Sequence, residues 1–205
     1  MSGDSADHWQ RIYQTRAATE VSWYQPVPQQ SLDLIQATGL PLSAPILDVG
    51  SGASQLVDHL LAAGHTDVSV LDIAPPALAQ AQARLGSAAA WVQWIVGDVT
   101  TFKPQRHYAL WHDRAVLHFL TTRSDLGQYL TVLTAALASR GHLIFATFGS
   151  QGPNRCSGLP VQRYSKEEVS ALLGFRFQLR RCAIENHHTP TGQQQFLWSW
   201  WQASA

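Results

Sequence analysis

Ile46-Leu47-Asp48-Val49-Gly50-Ser51-Gly52-Ala53-Ser54 decides how the rest of the chain is read. A short apolar run is entered from Pro45 and ended by Gly50-Ser51-Gly52, the pattern of a buried strand feeding a turn. Leu56, Val57, Leu60 and Leu61 then recur at helical spacing until Gly64 stops the helix. A strand, a glycine bend and a helix in that order let backbone come close to a ligand at the carboxyl edge of a sheet.

The same alternation continues downstream. Val68 to Asp72 reads as a second strand, and Pro75-Pro76 opens an alanine-rich helix running to about Leu85. Trp91 to Val96 is expected as a third strand, Tyr108 to His112 as a fourth and Gly141 to Phe148 as a fifth, with Asp125 to Ala138 helical by period. Beyond them come a helix over Lys166 to Leu173 and two strand-like runs, Phe175 to Glu185 and Gln195 to Gln202. Pro190-Thr191-Gly192 supplies turn chemistry between those runs, so they are expected to form an antiparallel hairpin. Upstream, about Asp7 to Gln36 reads as helical in two pieces, interrupted at Tyr24-Gln25-Pro26-Val27-Pro28. The expected fold class is α/β: one doubly wound, seven-stranded sheet, mostly parallel, ending in an antiparallel hairpin. It is read as a single domain over residues 1–205, a helical cap at 1–40 preceding a core at 41–205.

Composition narrows the function. Lys+Arg and Asp+Glu are equal at 14 each, the only lysines are Lys103 and Lys166, and no basic stripe appears, which argues against a nucleic-acid partner. No apolar run approaches the roughly 18 residues that span a bilayer, so no membrane partner is expected. The opening Met1-Ser2-Gly3-Asp4-Ser5-Ala6-Asp7 is unlike a signal peptide, and a cytoplasmic location is the expectation. Cys156 and Cys182 are too few for a disulfide scaffold, and neither the cysteines nor the nine histidines fall into a ligand spacing, so no metal is expected.

The glycine bend admits two kinds of cofactor. A dinucleotide site wants a third glycine three residues on, where this chain has Gln55. Asp48, just before Gly50 and Gly52, suits a ligand carrying an ammonium and a sulfonium better than it suits a diphosphate. Asp72 ends the second strand, 22 residues after Gly50, and is placed to accept both ribose hydroxyls. Asp98 follows the third strand and is placed to accept an adenine amino group, with Ile73 and Val99 sandwiching the base. Any one of these acids alone reads as a solvated loop residue. Acids at three consecutive strand ends, the first on the glycine loop, do not.

These residues resemble motif I, the acidic second-strand end and the third-strand Asp of class I S-adenosylmethionine-dependent methyltransferases, over residues 46 to about 148. The resemblance implies S-adenosylmethionine as cofactor and S-adenosylhomocysteine as product. Glu20-Val21-Ser22-Trp23-Tyr24, taken with Asp48 to Asp72, is similar to the lysine methyltransferases that modify translation elongation factor. Leu110-Trp111-His112-Asp113-Arg114-Ala115-Val116-Leu117 resembles the Trp-Asp-Arg-Gly-Ala-Leu stretch of thiopurine methyltransferases, with an extra His and with Ala115 in place of the glycine. Gly158-Leu159-Pro160-Val161 is similar to their Gly-Pro-Pro loop. The two likenesses imply different acceptors, a small soft or aromatic nucleophile such as a thiol or selenol, or a protein lysine. A cofactor-binding module without catalysis is a further alternative.

On the acceptor side, His112, Asp113, Arg114 and His118 are read as following the fourth strand. Arg114, His112 and Asp113 are the candidate catalytic residues, Arg114 holding an electron-rich acceptor by likeness to the thiopurine enzymes and His112 also touching the cofactor. His118 would share a helix face with Arg114 if a helical turn begins there. The competing reading is structural: Asp113 and Arg114 paired across the turn, His118 packed in the core. Asn154 to Pro160 is a natural acceptor lid, in which Cys156 is either a ligand for a soft substrate or incidental. Trp9, Tyr13, Trp23 and Tyr24 are expected as an N-terminal cap, Trp23 and Tyr24 against the cofactor, or else as core.

Overall fold

The computed structural model describes residues 3–21, 23–189 and 192–205. Five parallel strands, β1 (Ile46–Val49), β2 (Val68–Asp72), β3 (Val92–Val96), β4 (Tyr108–Arg114) and β5 (Leu137–Phe148), lie in one sheet. A miniature pair follows, β6 (Arg155–Cys156) with β7 (Leu159–Pro160), and then the long antiparallel strands β8 (Phe177–Thr189) and β9 (Gly192–Ala203). The seven-stranded order is β3-β2-β1-β4-β5-β9-β8, with β9 antiparallel to β5. Chain order reverses beside β1, the place where an open α/β sheet leaves a crevice at its carboxyl edge.

Helices cover both faces: α1 (Gly3–Thr15), α2 (Gln29–Ala37), α3 (Leu56–Ala62), α4 (Pro75–Leu85), α5 (Arg123–Ala136) and α6 (Lys166–Leu173). β1 and β2 are buried along their whole length because of that cover, which is why they read as unbroken apolar runs. One core layer joins Trp111, Tyr129, Phe145 and Trp201; the opposite layer joins Leu34, Ile35, Val57, Leu110 and Trp198. Pro75 opens α4 in its first turn, and Ser165 with Glu168 closes a capping box on α6.

The expected fold class is borne out, with local corrections. β4 runs two residues past His112, because its register with β1 and β5 continues through Asp113 and Arg114. Asp113 and Arg114 are therefore strand residues, like His112, rather than loop residues. Trp91 ends a 3-10 turn before β3, and α5 starts and stops two residues earlier than its period suggests. β5 begins at Leu137. The β6–β7 hairpin is absent from the sequence reading, since four residues carry no periodicity. Pro190 and Thr191 of the expected turn lie outside the described residues. No helix among those residues is long and apolar enough to cross a membrane.

Candidate active site

The carboxyl edge of the sheet opens into a cleft of about 780 Å³, counting its open mouth. Gly50, Asp72, Ile73, Gly97 and Val99 border one end; Arg114, His118, Phe119, Phe148, Cys156, Gln194 and Phe196 border the other. Trp9, Tyr13 and Trp23 of the N-terminal segment close over it. A smaller hollow of about 430 Å³ lies beside it, walled by Ser31, Asp48, Ser51, Ser54 and His112. Gly50, Trp23 and Arg114 border both spaces and so form the partition.

The glycine bend is built for close approach. Gly50 and Gly52 adopt φ of +62° and +58°, where a side chain is strained. A Cβ on Gly50 would fall 1.9 Å from Cγ2 of Val116, and one on Gly52 2.1 Å from the Tyr13 hydroxyl. Asp72 braces this loop: its Oδ2 accepts from the Gly52 N–H at 2.7 Å and its Oδ1 from that of Ala74 at 2.8 Å. Burial pushes the Asp72 carboxyl up to about 6, although those N–H groups favour its charged form. Arg84 of α4 adds a clamp, donating to the carbonyls of Ala53 and Ser54 and bidentately to Asp58.

Asp48 and His112 meet because β1 and β4 pair them in register on one face of the sheet. His112 Nδ1 lies 2.7 Å from Asp48 Oδ1, and its Nε2 lies 3.0 Å from the Ser31 hydroxyl of α2. A proton on Nδ1 satisfies all three groups, with Nδ1–H donating to the carboxylate and Nε2 accepting from the hydroxyl. Asp48 Oδ2 and Ser51 Oγ are left buried without a partner. Buried polar atoms of this kind call for a partner, a bound group or an ordered water.

Strand alternation sends Asp113 the other way. It is fully buried against Tyr129, whose hydroxyl donates to it while accepting from the Trp111 indole, and it caps the Val116 N–H at 2.8 Å. It borders neither hollow, so the catalytic part expected of it is corrected: Asp113 anchors the turn. The Asp113–Arg114 ion pair of the competing structural reading is absent for the same reason, since neighbouring strand residues face opposite sides. Ala115 takes φ +80° and turns the chain, and His118 sits in a separate 3-10 turn, so Arg114 and His118 share no helix face. Both nonetheless border the cleft.

Among the other expected cofactor contacts, Ile73 and Val99 border the cleft and Trp23 closes it. Tyr24 does not; its hydroxyl accepts from Gln55 instead. Asp98, between the cleft residues Gly97 and Val99, does not itself border the cleft; its Oδ1 accepts from the Thr100 N–H and hydroxyl. Ser31, Phe119, Phe148, Gln194 and Phe196 were not singled out from sequence. Ser31 left a trace as a polar residue on the buried stripe Ser31-Leu34-Ile35. Phe148 and Phe196 pair across β5 and β9, a juxtaposition that only the register reveals. No cluster of His, Cys, Asp or Glu suited to a metal occurs among the described residues.

Comparison with known proteins agrees with this geometry. Residues 46–141 match the family described as a methyltransferase domain. A mouse eEF1A lysine and N-terminal methyltransferase is 26% identical over 124 residues, 59% of this chain but 17% of its own length. Nodulation protein S of Rhizobium fredii is 29% identical over 97 residues, 47% of this chain. The matched part is 55% of that protein, so this chain spans about half of one curated relative and far less of the other. Among solved structures, Burkholderia thailandensis 1,6-didemethyltoxoflavin-N1-methyltransferase, with its substrate and S-adenosylhomocysteine bound, superposes at a TM-score of 0.70 and 22% identity. That match covers 98% of this chain and 85% of the other. The resemblance drawn from the glycine loop and strand-end acids is borne out, and so is S-adenosylmethionine as the family's cofactor.

Proposed function

We propose that the chain, whose residues 46–141 match the methyltransferase-domain family, moves a methyl group from S-adenosylmethionine to a small soft or aromatic nucleophile. One observation carries this reading: the cleft is continuous from the strand-end acid Asp72 to a chamber walled by Phe119, Phe148 and Phe196.

The residues present fit the cofactor. Asp48 Oδ2 and Ser51 Oγ, buried without partners, would take its ammonium end, and Gly50, which borders both hollows, would lie beside its body. Asp72, Ile73 and Val99 would hold the adenosine. When bound, S-adenosylmethionine supplies a methyl group activated on a sulfonium.

The chain's own work is to orient and to exclude water. In-line displacement needs the acceptor near attack distance, and fixed geometry supplies much of the rate. Trp9, Tyr13 and Trp23 roof the cleft with edge-on ring contacts at 5.8 and 6.5 Å. Ser31 and His112 fix the orientation of Asp48. No general base is required of an acceptor that is already ionised.

Protein lysine methylation is the second reading, favoured by the likeness to the mouse relative. Purified chain incubated with labelled cofactor decides between them. Turnover with thiol, selenol or phenol acceptors, and no labelled protein in lysate, is the expected result. Labelling of lysate protein without small-molecule turnover would move the assignment to lysine. Cofactor binding with neither would leave a non-catalytic module.

A further inference from the structure

We infer that the acceptor is a planar aromatic or heteroaromatic acid bound as its anion, with its ring among Phe119, Phe148 and Phe196 and its charge on the Arg114 guanidinium and a His118 N–H. The inference rests on the methyl-transfer reading and narrows its substrate class.

Arg114 is a cation in the cleft wall with no carboxylate within ion-pair distance among the described residues. Its Nη1 donates to the Trp23 carbonyl at 3.0 Å, while its Nε is buried without a partner. Glu185 and Asp48 act on it only at longer range, and each is engaged elsewhere, Glu185 with the Trp198 indole and Asp48 with His112. The guanidinium lies 5.7 Å from the centre of the Phe196 ring, within cation–π range.

His118 is the second unsatisfied group. It is fully buried, stacked on Phe148 at 4.3 Å and 7°, and neither ring nitrogen has a hydrogen-bond partner. Burial, reinforced by the Arg114 charge, pushes it down to about 3, so the ring stands neutral at ordinary pH. A neutral imidazole this weakly basic cannot take a proton from an amine, but it still has one N–H to give. Two donors, a fixed cation and aromatic walls on one chamber describe the complement of an aromatic anion.

The charge balance of the reaction points the same way. The acceptor's lone pair forms the new bond to the methyl carbon as the sulfur–carbon bond breaks, and the sulfur keeps the bonding pair. An anionic acceptor and a sulfonium thereby become two neutral products, a change favoured where water is scarce. An amine acceptor would instead leave an ammonium product beside Arg114, with no base at hand. A lysine ammonium would meet the same repulsion on entry.

The test reads binding, so it does not depend on turnover. The full chain is saturated with S-adenosylhomocysteine and titrated with 4-nitrophenol, 4-nitroaniline and butylamine. We expect nitrophenolate to bind about tenfold or more tighter than nitroaniline, and binding to lower the phenol's own pKa, seen as a gain in its phenolate absorption. Arg114→Gln should abolish the preference, Arg114→Lys should keep part of it, and His118→Phe, which retains the stacking ring, should weaken it. Equal or tighter binding of either amine overturns the inference, as does a phenol pKa that stays put or rises on binding. Should Arg114→Gln fail to fold, the absorption change in the unmodified protein decides alone. Absence of S-adenosylhomocysteine binding would count against the methyl-transfer reading instead, and the same titration of the cofactor-free chain would still decide the acceptor class.

Discussion

Ala115 shows how much one backbone angle can explain. Its φ of +80° is a conformation that costs an L-residue about 1–2 kcal/mol, and the thiopurine-like stretch has glycine at this point. Ala115→Gly is expected to raise stability by about 1 kcal/mol, measured as the urea midpoint; an unchanged or lowered midpoint would refute the strain. His118 yields a pH prediction. Between its folded value of about 3 and its ordinary value of 6.5 the folded protein binds fewer protons than the unfolded one. The stability of the neutral ring is therefore present above pH 6.5 and lost as pH falls toward 3. Asp72 and Asp113, pushed up to about 6 by burial, act in the opposite sense, their contribution fading as pH rises through that value. Replacing His118 by Phe removes only the first effect. The variant should gain on the parent by about 3 kcal/mol between pH 6.5 and 4, at about 1.4 kcal/mol per unit, and parallel pH–stability curves would contradict it. At this scale the sequence was a partial guide. Types and spacing exposed Asp48 and Asp72, but the part played by Asp113 depended on which face of β4 it occupies, and that follows from where the strand ends.

At the scale of elements, the glycine bend is held from two sides, by Asp72 beneath it and by Arg84 reaching across from α4. Arg84 combines carbonyl contacts with a bidentate pair to Asp58, and both side chains are about one-quarter exposed at 26%. Solvent screening keeps its worth to about 1 kcal/mol. Arg84→Ala should therefore lower stability only modestly while weakening S-adenosylhomocysteine binding several-fold, because the loop loses its tether. Calorimetry on the variant checks this, and unchanged affinity would show that the loop is set without it. The helices and parallel strands were legible because their periodicity or unbroken apolarity survives in any window. Arg84 was not, since nothing local says that α4 packs beside the turn after β1. β6 and β7 were not legible for a different reason: strands of two residues have no pattern to read.

For the molecule as a whole, ligand and fold are linked. A cofactor that binds only the folded chain should stabilise it by about 2.7 kcal/mol at a hundred times its dissociation constant, a rise of about 5–10 °C in a domain of this size. Gly52→Ala, which sets a methyl against Tyr13 in a strained conformation, should both lower the melting temperature and remove that rise. A Gly52→Ala protein that responds to S-adenosylhomocysteine like its parent would contradict the closeness assigned to the loop. Topology was readable from the order of elements, and Arg114 from its motif, whereas the aromatic wall of the cleft was not, because Phe148 and Phe196 are brought together from β5 and β9 across the sheet.

That gathering divides the cleft's lining in two along the chain. The residues proposed to hold the cofactor lie in the first half, at the ends of β1, β2 and β3, while Phe148, Cys156, Gln194 and Phe196 of the cleft wall come from the last third. Drift in the later segment can therefore retune what is modified without disturbing how the methyl donor is held. Grafting β5 through β9 from one relative onto the opening strands of another is a natural way to exchange selectivities, with Arg114 as the residue at the seam.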